Sequence, residues 1–441
     1  MHDDDKIDLI VVGGGLAGLL GAIEAAQKEL SVLLIERGEH CGSKNLSGGR
    51  LYLNPLKKVL SPEAFSILLE APFERPVTKE ILMLSTQHGS MKFELDAERF
   101  SGETPHSVTV QRAVFDKWLA AKAEELGVMI VPESRVDEII LNEDGTAGGA
   151  KVGDELLESD YVLIAEGALG RLAGRMGLAP ARDAESGADE AFLGVKETIK
   201  LDSGKIEDRF NLARGEGAAA MMAGTLTRGM VGGGFLYTNR ESLSLGIVLH
   251  LGGVARKHEK GFEPWQILDE LKRRKEIAVL VEGGKTAEYG AHLIPELHTL
   301  EGRRWGEKNI MVAGDAAGFV LNQLITVRGM DLAIASGSLA GQSAAEAKKS
   351  GDRSAAAGIY EKKLEGSFVM RDLRQAVNMH RFSGNKDIFT RYPEIMFDVL
   401  EEVYTTGEEG KSRFMGGALK RIRKEALSWE GIKTYMKLRK L

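Results

Sequence analysis

The order of apolar and polar positions at the start of the chain predicts an α/β unit. Ile7–Val12 is an apolar run long enough for one buried parallel strand, and Val32–Ile35 is a second one. Between them, residues 15–28 carry the small and apolar side chains of a buried helix. We therefore expect a compact strand–helix–strand unit, around which the rest of the chain is organised.

The remaining chain predicts an alternation of strands and helices that gives way to helices alone. Predicted strands lie at residues 80–95, 108–110, 128–132, 136–141 and 156–165, across most of 190–252, and at 309–313. Predicted helices lie at residues 61–71, 115–126, 264–273, 275–282 and 330–348, and they account for most of the chain after residue 355. No internal repeat or low-complexity linker separates these elements, so we expect interleaved domains.

Three glycines occupy the turn between the first strand and the first helix. Gly13, Gly15 and Gly18 have G-x-G-x-x-G spacing. The first permits a tight turn, the second lets the backbone approach a pyrophosphate at the helix N-terminus, and the third allows close packing. Glu36 ends the next strand, where a carboxylate can accept both hydroxyls of an adenosine ribose. The pattern predicts a dinucleotide site, and the alternative is a glycine-rich loop that serves only packing.

A second turn, far downstream, decides which dinucleotide fits. Gly314 and Asp315 follow the apolar strand predicted at 309–313, at a position from which the carboxylate can reach a sugar-alcohol chain. NAD has no such chain, whereas FAD has a ribityl chain whose hydroxyls need acceptors. The two turns together therefore favour FAD. The alternative is that Asp315 only caps a helix.

Composition and charge narrow the possible functions. The 441 residues can bury a large core and divide into two or three domains. The net charge of −7 gives no indication of a nucleic-acid partner. Cys41 is the only cysteine, which excludes an internal disulfide and a self-contained iron–sulfur cluster, because such a cluster needs about four thiolates. No metal site is expected, and no apolar run approaches the ~20 residues that cross a bilayer.

Four segments resemble FAD-binding two-domain flavoproteins, the group that includes aromatic hydroxylases and geranylgeranyl reductases. They are VVGGGLAGLLGA (11–22) with Glu36, VQRAVFDKWLAAKAEELG (110–127), VLIAEGALGRLA (162–173) and VAGDAAGF (312–319). Five further segments are similar to a narrower family, the electron-transfer-flavoprotein:quinone oxidoreductases, in their FixC or EtfC branch. They are GSKNLSGGRLY (42–52), LGVKETIKL (193–201), GGGFLYTN (232–239), AHLIPE (291–296) and GFVLNQLITVRGMDLAIASG (318–337). The resemblance covers nearly the whole chain.

Two features depart from the family pattern. Mitochondrial-type members carry a C-terminal iron–sulfur domain with cysteine ligands, which a chain with Cys41 alone cannot form. The FixC-like branch instead uses a separate small ferredoxin-like subunit. The Asp-Gly pair that usually follows the late strand of the FAD domain is Glu166-Gly167 here. The longer acid leaves the role of its side chain open, whereas Gly167 still lets the backbone approach the cofactor.

The resemblance implies an α/β fold in three parts. These are a Rossmann-like FAD-binding domain of the two-domain hydroxylase or geranylgeranyl-reductase type, an inserted mixed β-sheet substrate domain and a helical C-terminal region. We expect the FAD-binding domain at residues 1–75, 106–180 and 300–355, and the quinone or substrate domain at 76–105 and 181–299. The helical region then spans 356–441 and is expected to contact a membrane or a partner.

The implied function is FAD-dependent electron transfer to a membrane quinone, either ubiquinone or menaquinone. Electrons are expected from an electron-transfer flavoprotein of the EtfA/EtfB or FixA/FixB type, of the NADH-oxidising and bifurcating kind, through the small ferredoxin-like subunit. The protein is expected to bind peripherally at the cytoplasmic face of the cell membrane, with no transmembrane segment. Two alternatives stay open: a geranylgeranyl-reductase-like enzyme that saturates prenyl double bonds, and a non-catalytic docking subunit that holds FAD structurally.

The resemblance also assigns cofactor contacts to individual residues. They are Gly13, Gly15, Leu16, Ala17 and Gly18 at the pyrophosphate, Glu36, Arg37 and Val136 at the adenosine end, Arg112 and Asp315 at the phosphates or ribityl chain, Ala165, Gly167 and Gly314 as close backbone contacts, and Lys44, Asn45, Gly329 and Met330 at the isoalloxazine. A positive helix end at the isoalloxazine would stabilise an anionic reduced flavin. For Arg112 and Lys44 the alternative is an ordinary surface charge.

Two residues are assigned to the quinone side. Tyr237 and His292 can each supply a hydrogen bond or a proton to a quinone. Nothing in their spacing demands this role, and an ordinary core or surface position is the simpler interpretation.

The C-terminal end carries a separate signal. Residues 411–441 hold ten basic and two acidic residues, a net charge of +8, with Trp429, Ile432, Tyr435, Met436 and Leu438 interleaved among them. This pattern is typical of a helix that lies on an anionic membrane surface or docks an acidic partner. The alternative is a solvated helix.

Overall fold

The computed structural model describes residues 7–44, 48–178, 191–258, 261–322, 327–383, 387, 391–406, 417 and 420. The predictions made for Asn45 and for the basic C-terminal segment therefore fall almost entirely outside the described residues.

The strands, in chain order, are β1 (Ile7–Val12), β2 (Val32–Ile35), β3 (Gly48–Tyr52), β4 (Arg75–Ser85), β5 (Ser90–Asp96), β6 (Ser107–Gln111), β7 (Met129–Val131), β8 (Val136–Leu141), β9 (Ala147–Val152), β10 (Glu155–Ile164), β11 (Ala191–Lys200), β12 (Gly217–Gly224), β13 (Gly232–Thr238), β14 (Ser242–His250), β15 (Lys285–Pro295), β16 (Gly306–Glu307), β17 (Ile310–Val312), β18 (Leu321–Asn322) and β19 (Val327–Arg328). The helices are α1 (Leu16–Ala26), α2 (Pro62–Leu69), α3 (Arg112–Glu125), α4 (Arg171–Arg175), α5 (Ser203–Phe210), α6 (Leu251–His258), α7 (Pro264–Arg273), α8 (Lys275–Val281), α9 (Met330–Ser350), α10 (Ala356–Gly366), α11 (Phe368–Ser383) and α12 (Arg391–Tyr404). Within the described ranges, none of these helices combines the length and the apolar character needed to cross a bilayer.

The first sheet has the start of the chain at its centre. Its strand order is β16-β17-β10-β1-β2-β7, and β17, β10, β1, β2 and β7 run parallel. The chain leaves β1 on one side to form β2 and returns much later on the other side as β10. The point between β1 and β10 is therefore a topological switch point, where open α/β sheets bind ligands beyond the carboxyl ends of their strands.

Helices α1 and α9 pack against each other and against β10. A Cβ atom at Gly337 would lie 1.9 Å from the carbonyl oxygen of Ala17, and one at Gly341 would lie 2.2 Å from that of Gly21. Neither position has room for a side chain, so the two helix backbones touch directly. This contact fixes the position of both helix N-termini relative to the switch point.

The second sheet is mixed. Its order is β15-β11-β14-β13-β12-β4-β6-β3, with β5 paired to β4, and β12 and β4 are parallel. One face is covered by helices α5, α7 and α8 through the buried side chains of Ile206, Phe210, Ile267, Leu271 and Ile277. The opposite face is turned toward the carboxyl edge of the first sheet.

The helices after α9 contact both sheets, α10 the first sheet and α12 the second. Tyr360 of α10 is fully buried, and its hydroxyl donates a hydrogen bond to the Val312 carbonyl at the end of β17, at 2.9 Å. The Gln87 amide in the turn between β4 and β5 donates to Glu394 of α12, at 2.7 Å. Helix α12 therefore lies against the second sheet.

The predicted α/β class with a Rossmann-like domain and C-terminal helices is confirmed. The region 190–252 is mainly β, as predicted, with strands β11 to β14, but it also contains the helix α5, which the sequence analysis did not predict. The Asp202 side chain accepts a hydrogen bond from the Lys205 amide and caps this helix. Strands β3 and β6, which the sequence placed with the FAD-binding domain, pair with each other and through β4 continue the second sheet.

Candidate functional site

Two adjoining cavities lie at the carboxyl edge of the first sheet. We call the first the inner cavity; it has a volume of about 290 Å³ and lies between the second sheet and the N-termini of α1 and α9. We call the second the outer cleft; it has a volume of about 390 Å³ and extends past the ends of β2 and β8. Gly15, Ala165, Gly167 and His292 line both. The two spaces therefore form one elongated site that crosses the switch point.

The three glycines of the first turn have different surroundings. Gly13 has a φ of +105°, and a Cβ there would lie 2.4 Å from the Ala165 carbonyl oxygen. A Cβ at Gly18 would lie 1.9 Å from the Gly13 carbonyl oxygen, so this position requires glycine for packing. A Cβ at Gly15 would meet no atom within 4 Å, because Gly15 opens into the site at the N-terminus of α1. The turn thus presents helix N–H groups to an open space, as anion binding requires.

Glu36 lies at the wall of the outer cleft, together with Arg37 and Lys44. Its carboxylate accepts hydrogen bonds from the Gly14 amide at 2.7 Å and from the Gly38 amide at 2.6 Å. The acid that ends β2 therefore holds the glycine turn and the following loop together. Val136, at the start of β8, lines the same cleft.

Glu166 has a structural role that the sequence left open. Its Oε1 atom accepts hydrogen bonds from the amides of Leu172 at 2.7 Å and Ala173 at 2.9 Å, at the start of α4. Burial raises the pKa of this carboxyl, and the backbone donors act in the opposite direction. The neighbouring Gly167 has a φ of +80° and no atom within 4 Å of a Cβ position, so the backbone there is open to both cavities.

Arg112 lies at the junction of α3 and the inner cavity. Its guanidinium donates from Nε and Nη2 to the two carboxylate oxygens of Asp116, each at 2.7 Å. Asp116 is fully buried on the next turn of the same helix. The pair fixes the direction of the guanidinium, whose side chain is 19% exposed toward the cavity. Arg112 therefore does not occupy the ordinary surface position that the sequence analysis gave as the alternative.

Asp315 and His292 face each other at the boundary of the two cavities. Asp315 lies in the short turn after β17, and His292 lies on β15 of the second sheet. The His292 Nε2 atom is 3.6 Å from Asp315 Oδ2, and both side chains are partly exposed to the site. A histidine assigned to the quinone side thus lies next to the carboxylate assigned to the ribityl chain.

Helix α9 points its N-terminus into the inner cavity. Gly329 caps the helix and Met330 begins it, and both line the cavity. A Cβ at Gly314 would lie 3.0 Å from the Ala17 Cβ, and one at Gly49 would lie 3.0 Å from the Met330 Cε. The glycines at these positions therefore keep open the space in front of two helix N-termini.

The second sheet forms the opposite wall of the inner cavity. Phe235 and Tyr237 stack with their ring centroids 5.0 Å apart, and Met221 lies on the neighbouring strand. Tyr237 is almost fully buried, its hydroxyl lies 3.8 Å from the Met221 sulfur, and burial raises its pKa above the ordinary value. Together with the three glycines Gly232–Gly234, these residues give an apolar wall with little side-chain bulk.

The structure brings most of the predicted site residues together. The inner cavity is lined by Gly15, Leu16, Ala17, Arg112, Ala165, Gly167, Tyr237, His292, Gly314, Asp315, Gly329 and Met330. Lys44 differs from its prediction: it lines the outer cleft near Glu36, not the inner cavity near Met330. The loop that carries Lys44 packs closely on α3 at Gly42, where a Cβ would lie 2.7 Å from the Asp116 Cβ.

Two charged residues of the inner cavity were missed by the sequence analysis. Lys196 lies on β11, and Arg50 lies on β3, where it pairs with Glu80 and stacks its guanidinium carbon 4.4 Å from the centre of the Tyr52 ring. Both stand inside segments that were singled out for their resemblance to the family. For Lys196 the available signal was a cation beside apolar residues in a region predicted to be mainly β, whereas no strand was predicted around Arg50.

The fold and the site define the class of the protein. A strand–glycine-turn–helix unit, a carboxylate turn after a later parallel strand, and a covering second sheet characterise FAD-dependent oxidoreductases. The family model described as FAD dependent oxidoreductase matches residues 8–169. The protein is an FAD-dependent oxidoreductase.

Comparison with known proteins narrows this class to a family. The probable electron transfer flavoprotein-quinone oxidoreductase YdiS of Escherichia coli K12 is 40% identical over 403 residues, 91% of each chain. Protein FixC of Salmonella typhi is 38% identical over 91% of each chain. The chain belongs to the family of FixC and the electron transfer flavoprotein-quinone oxidoreductases, as the sequence resemblance predicted.

Solved structures share the fold at lower identity. A geranylgeranyl bacteriochlorophyll reductase-like protein from Thermoplasma acidophilum superposes with a TM-score of 0.70 over 98% of both chains, at 20% identity. The flavin-dependent halogenase CmlS gives a TM-score of 0.62 over 86% of this chain and 64% of its own, at 18% identity. At these identities the similarity concerns the fold alone.

Proposed function

We propose that the protein transfers electrons from an electron-transfer flavoprotein, through its FAD, to a membrane quinone. The observation that carries this proposal is the continuity of the cofactor cleft with a cavity whose far wall is an apolar, glycine-rich sheet face. A flat, apolar acceptor ring can enter such a space and lie close to the isoalloxazine end of the cofactor. The names of the relatives point to the same pair of reactants.

The residues of the site fit FAD. The open position at Gly15 would admit the pyrophosphate to the N-terminus of α1, and Glu36 and Arg37 would line the adenosine end. Asp315 would accept hydrogen bonds from the ribityl chain, with Arg112 held nearby by Asp116. The inner cavity in front of α9 would receive the isoalloxazine. We assign the remaining contacts to Gly13, Leu16, Ala17, Gly18, Val136, Ala165, Gly167, Gly314, Gly329 and Met330.

When bound, FAD supplies the acceptor and donor of electrons, and the chain supplies position and charge. The N-termini of α1 and α9 both face the site, so their partial positive charge favours negative charge on the bound cofactor. Met221, Phe235 and Tyr237 make the far wall of the cavity apolar. We assign Tyr237 and His292 to the acceptor side, with His292 close enough to Asp315 to respond to cofactor binding.

A second part of the proposal concerns the proteins that donate the electrons and the location of the protein in the cell. We propose that electrons arrive from an NADH-oxidising, bifurcating flavoprotein of the EtfA/EtfB or FixA/FixB type. A small ferredoxin-like subunit would carry them, because a chain with one cysteine cannot hold its own cluster. Quinones are dissolved in the bilayer, so we place the protein peripherally at the cytoplasmic face. The basic C-terminal segment, of net charge +8, is suited to an anionic surface.

The test of the proposed function is an anaerobic reductive titration of the purified protein, followed by mixing with a soluble ubiquinone or menaquinone analogue. We expect rapid re-oxidation of the bound flavin by at least one analogue. Asp315→Ala should lower the flavin content by weakening cofactor binding, whereas Asp208→Ala, on the exposed side of α5, should not.

Three outcomes would contradict the proposal. If the reduced flavin is not re-oxidised by quinones but is re-oxidised by a polyprenyl lipid, the protein is a prenyl reductase instead. Flavin that turns over with neither acceptor would show a docking subunit. A protein that takes up no flavin would overturn the cofactor assignment as well.

The partner assignment needs its own experiment. The flavoprotein and NADH should reduce the bound FAD much faster when the ferredoxin-like subunit is present than when it is omitted. Equal rates with and without that subunit would contradict the proposed route, without affecting the reaction with quinone.

A further inference from the structure

Lys196 places an ammonium group on the sheet wall of the inner cavity. It lies on β11, an interior strand, opposite Gly246 of β14 and Gly290 of β15. Both neighbours lack side chains. A Cβ at Gly246 would lie 2.4 Å from the Phe235 ring and 2.8 Å from the Lys196 Cβ, so the ring and the lysine stem meet over this glycine.

The ammonium of Lys196 has no hydrogen-bond or ion-pair partner within the described part of the chain. The two arginines that line the inner cavity are paired: Arg112 with Asp116, and Arg50 with Glu80. On the other face of the same sheet, Lys272 donates to Glu197 at 2.9 Å. Lys196 is partly buried in the cavity wall, and a charge drawn partly out of water without a partner is costly, so its unpaired ammonium points to a ligand that supplies the acceptor.

The charges around Lys196 come from several elements. Burial lowers its pKa to about 8, the Arg112 guanidinium on α3 acts in the same direction, and Glu288 on β15 opposes both. His292 and Asp315 face the same cavity from β15 and from the turn after β17. The ammonium is therefore the main form below about pH 8, and it becomes a neutral amine above it.

The surroundings define the ligand. Phe235, Met221 and Val248 give an apolar, flat surface beside the ammonium. A ligand that contacts both the apolar surface and the ammonium group must be a planar apolar ring with an oxygen acceptor at its edge. In the proposed function, the cofactor occupies the side of the cavity that faces the first sheet and the two helix N-termini. The side that faces the second sheet is then left for the ring of the acceptor.

We propose that Lys196 binds a carbonyl oxygen of the quinone acceptor through a charge-assisted hydrogen bond and so orients the quinone ring against Phe235. This inference rests on the proposed function, and it names a residue of the acceptor site that the sequence did not. Tyr237, whose hydroxyl lies against the Met221 sulfur, is less well placed for this role.

The experiment is calorimetric titration of the oxidised, FAD-loaded protein with a short-chain ubiquinone analogue and with menadione. We compare wild type, Lys196→Met, Lys196→Arg and, as the matched control, Lys200→Met, which removes the same charge from the exposed end of β11. Loss of a hydrogen bond to a charged group should weaken quinone binding about 10- to 100-fold in Lys196→Met. The control should bind like the wild type.

Two further readouts separate binding from a structural role. Flavin content should be unchanged in Lys196→Met. The quinone affinity of the wild type should fall between pH 7 and pH 9.5, because the ammonium titrates near pH 8. Lys196→Arg should restore most of the affinity and remove this pH dependence, because a guanidinium stays charged.

The outcomes are distinguishable. If the wild type is re-oxidised by quinone and Lys196→Met binds quinone as tightly as the wild type, the inference is wrong and the proposed function stands. If Lys196→Met changes only the flavin potential or flavin content, the ammonium serves the cofactor and the inference is again wrong. If the wild type neither binds nor reduces any quinone, the proposed function fails and the inference fails with it.

Discussion

The direct contact between α1 and α9 gives a sharp test of the fold around the site. In Gly337→Ala the new methyl group would lie 1.9 Å from the Ala17 carbonyl oxygen. Alanine gains ~1 kcal/mol over glycine in a helix interior, and overpacking costs ~1–3 kcal/mol. The contacted atom belongs to the main chain and cannot rotate away, so the cost of the clash should exceed the gain in helix propensity. The difference between the two terms is a net loss of up to about 2 kcal/mol in the free energy of unfolding.

The same substitution should affect cofactor binding. Ala17 belongs to the first turn of α1, and α9 begins at the inner cavity, so separating the helices displaces both N-termini from the site. The assay is the release of FAD fluorescence on heating, together with the dissociation constant for FAD. The melting temperature should fall by at most about 2 °C, because ~2.1 cal/mol/K per residue gives a 441-residue chain an unfolding entropy of about 0.9 kcal/mol/K, and the affinity for FAD should fall with it.

Gly358→Ala is the matched control, because Gly358 lies inside α10 and a Cβ there would meet no atom within 4 Å. This variant should be more stable than the wild type by about 0.5–1 kcal/mol. If Gly337→Ala is equally stabilising and binds FAD normally, the two helices do not approach as described, and the reasoning is refuted.

Three further predictions concern the outer cleft and its neighbours. Gly15→Ala should leave the apoprotein's melting temperature unchanged, because the new Cβ meets no atom within 4 Å, but it should weaken FAD binding, which equilibrium dialysis measures; unchanged affinity would place the pyrophosphate elsewhere. Cys41 should resist iodoacetamide in the native protein at pH 8 and react only in urea, because burial and the nearby Glu36 raise its thiol pKa to about 12; rapid native labelling, read by mass spectrometry, would contradict this. Glu166→Ala should cost about 1 kcal/mol through loss of the α4 cap, seen as a lower denaturation midpoint, whereas Glu166→Gln should cost less because its side-chain oxygen still accepts; equal losses would argue against the cap.

The sequence predicted the first βαβ unit well because all its determinants are local. The apolar run of β1, the spacing of Gly13 and Gly18, and the acid at Glu36 act within one short segment, and their spacing fixes the geometry. The turn at Asp315 was also readable, because a buried strand immediately precedes it. What these local patterns could not give was the function of Glu166, since its partners are the amides of α4, a helix too short to leave a periodic signal.

Lys196 and α5 were missed for a different reason. A lysine in a strand is usually solvated, and only the pairing of β11 between β14 and β15 turns this one into a cavity wall. That pairing joins segments far apart in the chain. Helix α5 did leave a signal, a capping Asp202 followed by Ile206 and Phe210 at helical spacing, but the β-rich segments on both sides masked it.

The late position of β17 and α9 in the chain has a consequence for how the protein is made. The first sheet needs Ile310–Val312 beside β10, and the site needs the N-terminus of Met330–Ser350. During synthesis, the glycine turn at Gly13 therefore leaves the ribosome long before the walls that complete its binding site. We therefore expect the nascent chain to complete its FAD site only after about three quarters of it has been translated, up to the start of α9 at Met330, so that cofactor loading is a late event.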